Sequence, residues 1–294
     1  MVFVGEIKAV NTSDGVYNLA VSSKDSVIMN LKIKPENAIN IELGQLFKFI
    51  YHEVPGERVS YWIDSYEKVL NLPFDEKNQL LREYYKSSPV DYIDAKKEIE
   101  RYIELIDNKI VKEITVYLIN KYNEEFYLYP AAAKMHHAYV GGLAYHCIGM
   151  LHLAEGFIEN YPYLDRSYVY AGIMLHDIGK AIELTGIVHT EYSVKGQLLG
   201  HLVLGAIEIG SAAKDLGYQD KDECMLLEHM LISHHGVPQF GSAKKPMTAE
   251  ALVLWYIDTI DSKFRVLGEE LSKTESGKFT DGIGVLDKSK IYKI

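Results

Sequence analysis

Cysteine is nearly absent. The chain of 294 residues holds two, Cys147 and Cys224, and neither belongs to a C-x-x-C pair. That is too few for a disulfide framework, and a reducing cytoplasm is the simplest expectation. Long apolar runs are missing too: none approaches the ~18 residues needed to cross a bilayer. The opening Met1-to-Gly15 stretch lacks a basic region followed by an apolar one, so a soluble, intracellular protein with no membrane partner is expected. Positive charge is scarce, with 31 Lys plus Arg against 41 Asp plus Glu and a formal net charge of -10. That is the wrong sign for gripping nucleic acid by bulk electrostatics, although bound metal could reverse the sign locally. What is present is ordinary globular material, 48% hydrophobic and 24% charged, which excludes wholesale disorder. The length, about twice that of a usual domain, predicts two folded units.

The first 70 residues read as short strands. Val2 to Val10, Val16 to Ser22, Val27 to Ile33, Gln45 to Val54 and Val59 to Val69 are rich in β-branched and aromatic residues, punctuated by Asp14-Gly15, Pro35 and Pro55-Gly56. Five short strands in so little chain predict a small barrel of the OB type. Phe47, Phe49 and Tyr51 alternate and so share one face; they could stack bases, but core packing is the expected role.

From Asp75 the period lengthens to about 3.6. Apolar positions at helical spacing run through Asp75 to Lys86 and Val90 to Tyr122, and helical segments continue at about 141–160, 167–180, 195–216, 221–235 and 248–268. The fold class is therefore α+β and multidomain, a small β module followed by a larger all-α bundle. The Tyr-rich stretch from Tyr84 to Tyr129 could supply an interface between copies, with intramolecular packing as its default role.

Ten of the eleven histidines lie between His136 and His235, and residues 136–260 hold 7 basic against 14 acidic side chains. That coincidence points to metal, because neutral imidazole is the commonest metal ligand. The sharpest element is Leu175-His176-Asp177-Ile178-Gly179-Lys180, an apolar helix ending in adjacent His and Asp, with Gly179 suited to the helix C-terminus. His146, His201, His234-His235 and Asp258 each interrupt an otherwise apolar helical stretch, so they should face the interior. There a shared cation would satisfy them together. His235 is an alternative to His234, since adjacent helical residues point ~100° apart and one normally faces a given site. His136 and His137 precede a helix and could contact a substrate phosphate. His152 and His229 should face elsewhere.

The order His146, His176-Asp177, His201, His234, Asp258 resembles the HD-domain superfamily of metal-dependent phosphohydrolases in its two-metal form. The segments His136 to Leu143, Leu175 to Lys180, Ser233-His234-His235-Gly236 and Tyr256 to Asp261 resemble the YhaM-type 3′→5′ exoribonucleases, which join an OB-fold to an HD domain. The resemblance is dense from about 130 to 265. It implies an OB-like barrel over 1–70 as a candidate nucleic-acid-binding module, a helical connector over 71–130 packing on the HD domain, and an HD domain with a C-terminal extension over 131–294. It also implies that His146, His176 and Asp258 hold one metal and His201 and His234 another, with Asp177 bridging. A mixed nitrogen and oxygen shell suits Mn(II) or Fe(II) better than Mg(II). Asp177 and Lys180 are the catalytic candidates; the Lys180 ammonium could stabilise charge developing on phosphate, or simply sit solvated at a helix end.

The activity implied is 3′→5′ hydrolysis of single-stranded RNA, and of DNA as a further substrate, to nucleoside 5′-monophosphates. The same ligand set could instead serve free nucleotides or cyclic dinucleotides. A non-catalytic nucleic-acid or nucleotide binding factor is the reading from another class, and the intact ligand set argues against it.

Overall fold

A computed structural model describes residues 1–132 and 139–294. The chain divides into two compact units, Met1–Lys86 and Ser87–Ile294.

In the first unit β1 (Val2–Ser13), β2 (Val16–Ser22), β3 (Ile28–Ile33), β4 (Leu46–Val54) and β5 (Ser60–Lys68) close into a barrel in the order β1-β2-β3-β5-β4. All neighbours are antiparallel except β3 and β5. Strand β1 serves two partners: Val2 to Glu6 pairs with β4, and Glu6 to Ser13 pairs with β2 across a register shift between Ile7 and Ala9. Such a shift bends a strand enough to help a short barrel close. Asp14 and Gly15 both have positive φ, 51° and 72°, the geometry of a tight hairpin matched to strand twist. Ile7, Leu19, Val21, Leu31, Phe47 and Phe49 fill the interior. The aromatic stripe of β4 is therefore core: Phe47 and Phe49 are closed to solvent and pack on Tyr66 with ring centroids 5.9 and 6.2 Å away. Helix α1 (Phe74–Tyr84) groups with the barrel, where Tyr84 donates to the Val4 carbonyl at 2.6 Å.

The second unit is helical: α2 (Tyr92–Glu104), α3 (Lys109–Lys121), α4 (Asn123–Leu128), α5 (Gly142–Asn160), α6 (Arg166–Leu175), α7 (Lys180–Glu183), α8 (Val194–Asp215), α9 (Asp222–Ser233) and α10 (Ala249–Lys273). The periodic stretch from Val90 to Tyr122 is two helices. The Asn108 side-chain oxygen accepts from the N–H groups of Ile110 and Val111 at 3.0 and 3.1 Å, starting a new helix there. Ile99, Ile106, Ile114 and Leu118 nonetheless share one core with Cys147, Ile173 and Leu254. Asp165, Ser193 and Thr248 cap α6, α8 and α10 with side-chain oxygens. Among the described residues no helix is long and apolar enough to cross a membrane.

Candidate metal centre

Helix α6 is apolar on all sides and buried from Val169 to Leu175. His176 continues it, donating its N–H to Gly172 at 2.8 Å, and the chain then tightens, with Ile178 N–H bonded to the Leu175 carbonyl and Lys180 N–H to that of Asp177. His176 and Asp177 thus leave the helix at its inner end. Gly179 has φ of -60°, so it is not required for an unusual backbone. It is required for space: a Cβ there would lie 2.1 Å from the His201 carbonyl oxygen, where α8 crosses.

A pocket of about 320 Å³ opens at this point, lined by His146, Asp177, Lys180, His201, His234, His235 and Asp258. Candidate ligand atoms fall into three groups, each within 4.8 Å: His146, His176 and Asp258; His201, His234 and His235; and His176, Asp177 and His234. Asp177 therefore clusters with one histidine from each of the other two groups. Its oxygens divide between them, Oδ2 lying 3.1 Å from His176 Nε2 and Oδ1 lying 3.5 and 3.9 Å from the Nε2 atoms of His201 and His234.

His234 and His235 both line the pocket. Adjacent positions inside a helix could not both do so, but α9 ends at Ser233, and the chain turns at Gly236 with φ of 79°. No Cβ fits there, since it would lie 1.9 Å from the Trp255 ring. His136 and His137 lie outside the described residues. His152 faces away, bonded through Nε2 to Glu98 at 2.7 Å, and His229 Nε2 accepts the Met247 N–H at 2.9 Å.

The tautomers are fixed by partners that can only accept. His176 Nδ1 donates to the Ile173 carbonyl and His234 Nδ1 to the Leu231 carbonyl, both at 2.7 Å. His146 Nδ1 donates to Asp261 at 2.8 Å, and His201 Nδ1 to Glu183 at 3.0 Å. In His176, His201 and His234 this leaves Nε2 as the lone-pair nitrogen, the arrangement of metal-ligating imidazoles, whereas His146 Nε2 faces a second carboxylate, Asp258, at 3.2 Å. Glu183 and Asp261 are the residues that sequence reasoning missed. Their spacing, an acid three residues past Lys180 and another three past Asp258, was the one signal in the sequence, and a weak one.

Charge is concentrated here. Burial opposes ionisation of Asp177, but Lys180 and His176 beside it hold its carboxyl well below the usual range. Burial likewise disfavours the Lys180 ammonium, yet Asp177 keeps it charged, at 2.7 Å from Oδ2. The ammonium also donates to the Ala131 carbonyl at 2.5 Å. For His146, burial is outweighed by hydrogen bonds to Asp258 and Asp261, which push the imidazole up to about 9. Burial, with His176 and His235 close by, keeps His234 neutral.

The fit to divalent metal can be tested on the orphaned atoms. His176 Nε2, Asp177 Oδ1 and His234 Nε2 are buried without any hydrogen-bond partner. Leaving such groups unpaired costs about 1–3 kcal/mol each, and native structures rarely collect three in one place. All three can offer electron pairs, and the ligand atoms of these residues lie within 4.8 Å of one another, which is what a cation requires.

Comparison with known proteins agrees. Residues 143–263 match the HD domain family. The chain is 41% identical over 222 residues, 75% of its length and 70% of the relative's, to a 3′-5′ exoribonuclease YhaM from Bacillus pumilus (strain SAFR-032). It is 40% identical over 219 residues, 74% of this chain and 69% of the other, to the protein of that name from Bacillus licheniformis. With a third, from Geobacillus sp. (strain WCH70), it is 42% identical over 211 residues, covering 72% and 65%.

Proposed function

Because the chain belongs to the HD-domain family of YhaM 3′-5′ exoribonucleases, and is thereby a hydrolase of the nuclease class, we propose that it removes nucleoside 5′-monophosphates from the 3′ end of single-stranded RNA in the cytoplasm, using two divalent cations, Mn(II) foremost. The observation that carries the reading is the trio of buried, unpartnered donor atoms on His176, Asp177 and His234. His146, His176 and Asp258 would hold one cation and His201 and His234 the other, with His235 near enough to join the second group and Asp177 shared.

When bound, the two cations would neutralise the phosphodiester and activate the attacking water. The protein's part is to hold the donors in place. Asp177 offers one oxygen to each group, and Lys180 fixes that carboxylate's rotation while keeping a third N–H for a phosphate oxygen. Tyr192, half exposed on the pocket wall, offers a ring on which a terminal base can stack.

Incubation with Mn(II) and RNA labelled at either end is the direct test. A 5′-labelled strand should shorten one nucleotide at a time while a 3′-labelled strand yields labelled mononucleotide at once, and EDTA should stop both. Asp177→Ala should lower the rate by about 10³-fold, as loss of a central electrostatic group does. Intact RNA beside rapid hydrolysis of free or cyclic nucleotides would move the activity to small substrates.

A further inference from the structure

His146, His176, His201 and His234, which all belong to the donor groups, are not equivalent behind the ring. His176 and His234 lean on neutral backbone carbonyls, those of Ile173 and Leu231. His146 and His201 lean on carboxylates, Asp261 and Glu183. One of the carboxylate-backed rings falls in the group with His176 and Asp258, and the other in the group with His234 and His235. We propose that Asp261 and Glu183 are positioning residues, each dedicated to one metal position: Asp261 acts through His146 on the first, and Glu183 through His201 on the second. This rests on the two-metal reading and adds the groups that set the two affinities separately.

The surroundings of each carboxylate hold it against its histidine. Asp261 is buried on α10, and its Oδ1 accepts from Arg265 Nε at 3.3 Å while Oδ2 takes the His146 N–H. Arg265 is held in turn by the Tyr145 hydroxyl at 2.6 Å. Helix α5 makes room for the carboxylate at Gly149, where a Cβ would lie 2.5 Å from Asp261 Oδ1. Glu183, at the end of α7, binds His201 twice, at the ring Nδ1 and at the backbone N–H, the latter at 3.1 Å. The backbone N–H is available because Gly200, with φ of 70° and ψ of 159°, interrupts α8 just before it. Gly196 lets the first turn of α8 press on α7, since a Cβ there would lie 2.4 Å from the Glu183 carbonyl oxygen.

A carboxylate behind an imidazole fixes its rotation and raises its basicity toward a cation, and its loss typically costs 10- to 100-fold in metal affinity. A backbone carbonyl fixes the ring but brings no charge. Each position therefore has one strongly donating histidine, and the two can be weakened one at a time.

The test is calorimetric titration of the metal-free full chain with Mn(II) alone, comparing wild type with Glu183→Gln and Asp261→Asn. Both variants keep an oxygen acceptor of the original shape. Asp258→Asn and His234→Gln serve as references that mark which binding step belongs to which position. Glu183→Gln should weaken the step that His234→Gln abolishes by about 10- to 100-fold and leave the other within about threefold; Asp261→Asn should do the reverse. Glu183→Asp and Asp261→Glu, which restore the charge, should recover part of the loss. Far-UV circular dichroism of the metal-free variants checks the fold. Should Asp261→Asn fail to fold, Gly149→Ala pushes on the same carboxylate from α5 and must show the same loss at the first position. Unchanged steps, or both steps weakened alike by either variant, would overturn the proposal. A wild type that binds fewer than two Mn(II) would overturn the two-metal reading itself, and the proposal with it.

Discussion

At the scale of single residues the pocket depends on Asp177 staying ionised while buried. Desolvation pushes toward the neutral acid, and Lys180 and His176 reverse it. Lys180→Met would leave the carboxylate buried without its ammonium, and breaking such a pair costs about 3–5 kcal/mol. The metal-free variant should therefore lose about 3 kcal/mol in urea unfolding. Mn(II) should return part of that, because divalent charge substitutes for the missing ammonium. Unchanged stability would show that Lys180 is a solvated surface cation after all. How far single residues could be read from sequence follows from the same physics. His146, His176, Asp177, His201, His234 and Asp258 stand out because each is polar in an apolar helix, and all six line or abut one pocket. Glu183 does not stand out: Ala181-Ile182-Glu183-Leu184 reads as an ordinary amphipathic turn, and its partner His201 is 18 residues away. Asp261 is masked by Arg265 four residues on, which looks like a surface helix pair.

At the scale of elements, two breaks decide where side chains point. The break at Asn108 is invisible to periodicity, since Ile99, Ile103, Ile106, Ile110 and Ile114 keep a helical spacing straight across it; the Asn cap was the readable signal. The break at Gly200 is subtler. Its φ and ψ lie in a region essentially restricted to glycine, yet its side is open, with nothing within 4 Å of a Cβ. Gly200→Ala should therefore act through backbone conformation alone. Alanine favours a continuous α8, which would draw the His201 N–H away from Glu183 and toward the carbonyl four residues earlier. Helix content by circular dichroism should hold or rise slightly while Mn(II) affinity falls about tenfold, the loss expected when an outer carboxylate contact is removed. Loss of helix with unchanged metal binding would separate the kink from the site.

At the scale of the whole molecule, a net charge of -10 and a metal pocket belong to different parts of the chain's behaviour. The excess acid is concentrated in the helical unit, where some of it faces the pocket, and divalent cations bound there would reverse the local sign that bulk charge presents to a phosphate. The two compact units have separate cores, one built on Phe47 and Phe49, the other on residues such as Ile173 and Leu254. Metal donors gather in the second. Ligand that binds only the folded form stabilises by about 2.7 kcal/mol at a hundredfold excess over its dissociation constant. For a unit of this size that corresponds to a rise of about 5–10 °C in Tm. The chain carries its own reporters, because its two tryptophans are split between the units, Trp62 on β5 and Trp255 on α10. In Trp62→Phe the remaining fluorescence follows the helical unit, and its thermal midpoint should rise with Mn(II). In Trp255→Phe the signal follows the barrel, and its midpoint should stay within about 1 °C, since a ligand stabilises only the structure whose unfolding abolishes its site. Equal shifts in both variants would mean that the barrel and the helical unit unfold as one cooperative body, and that metal in the pocket governs the stability of the entire chain.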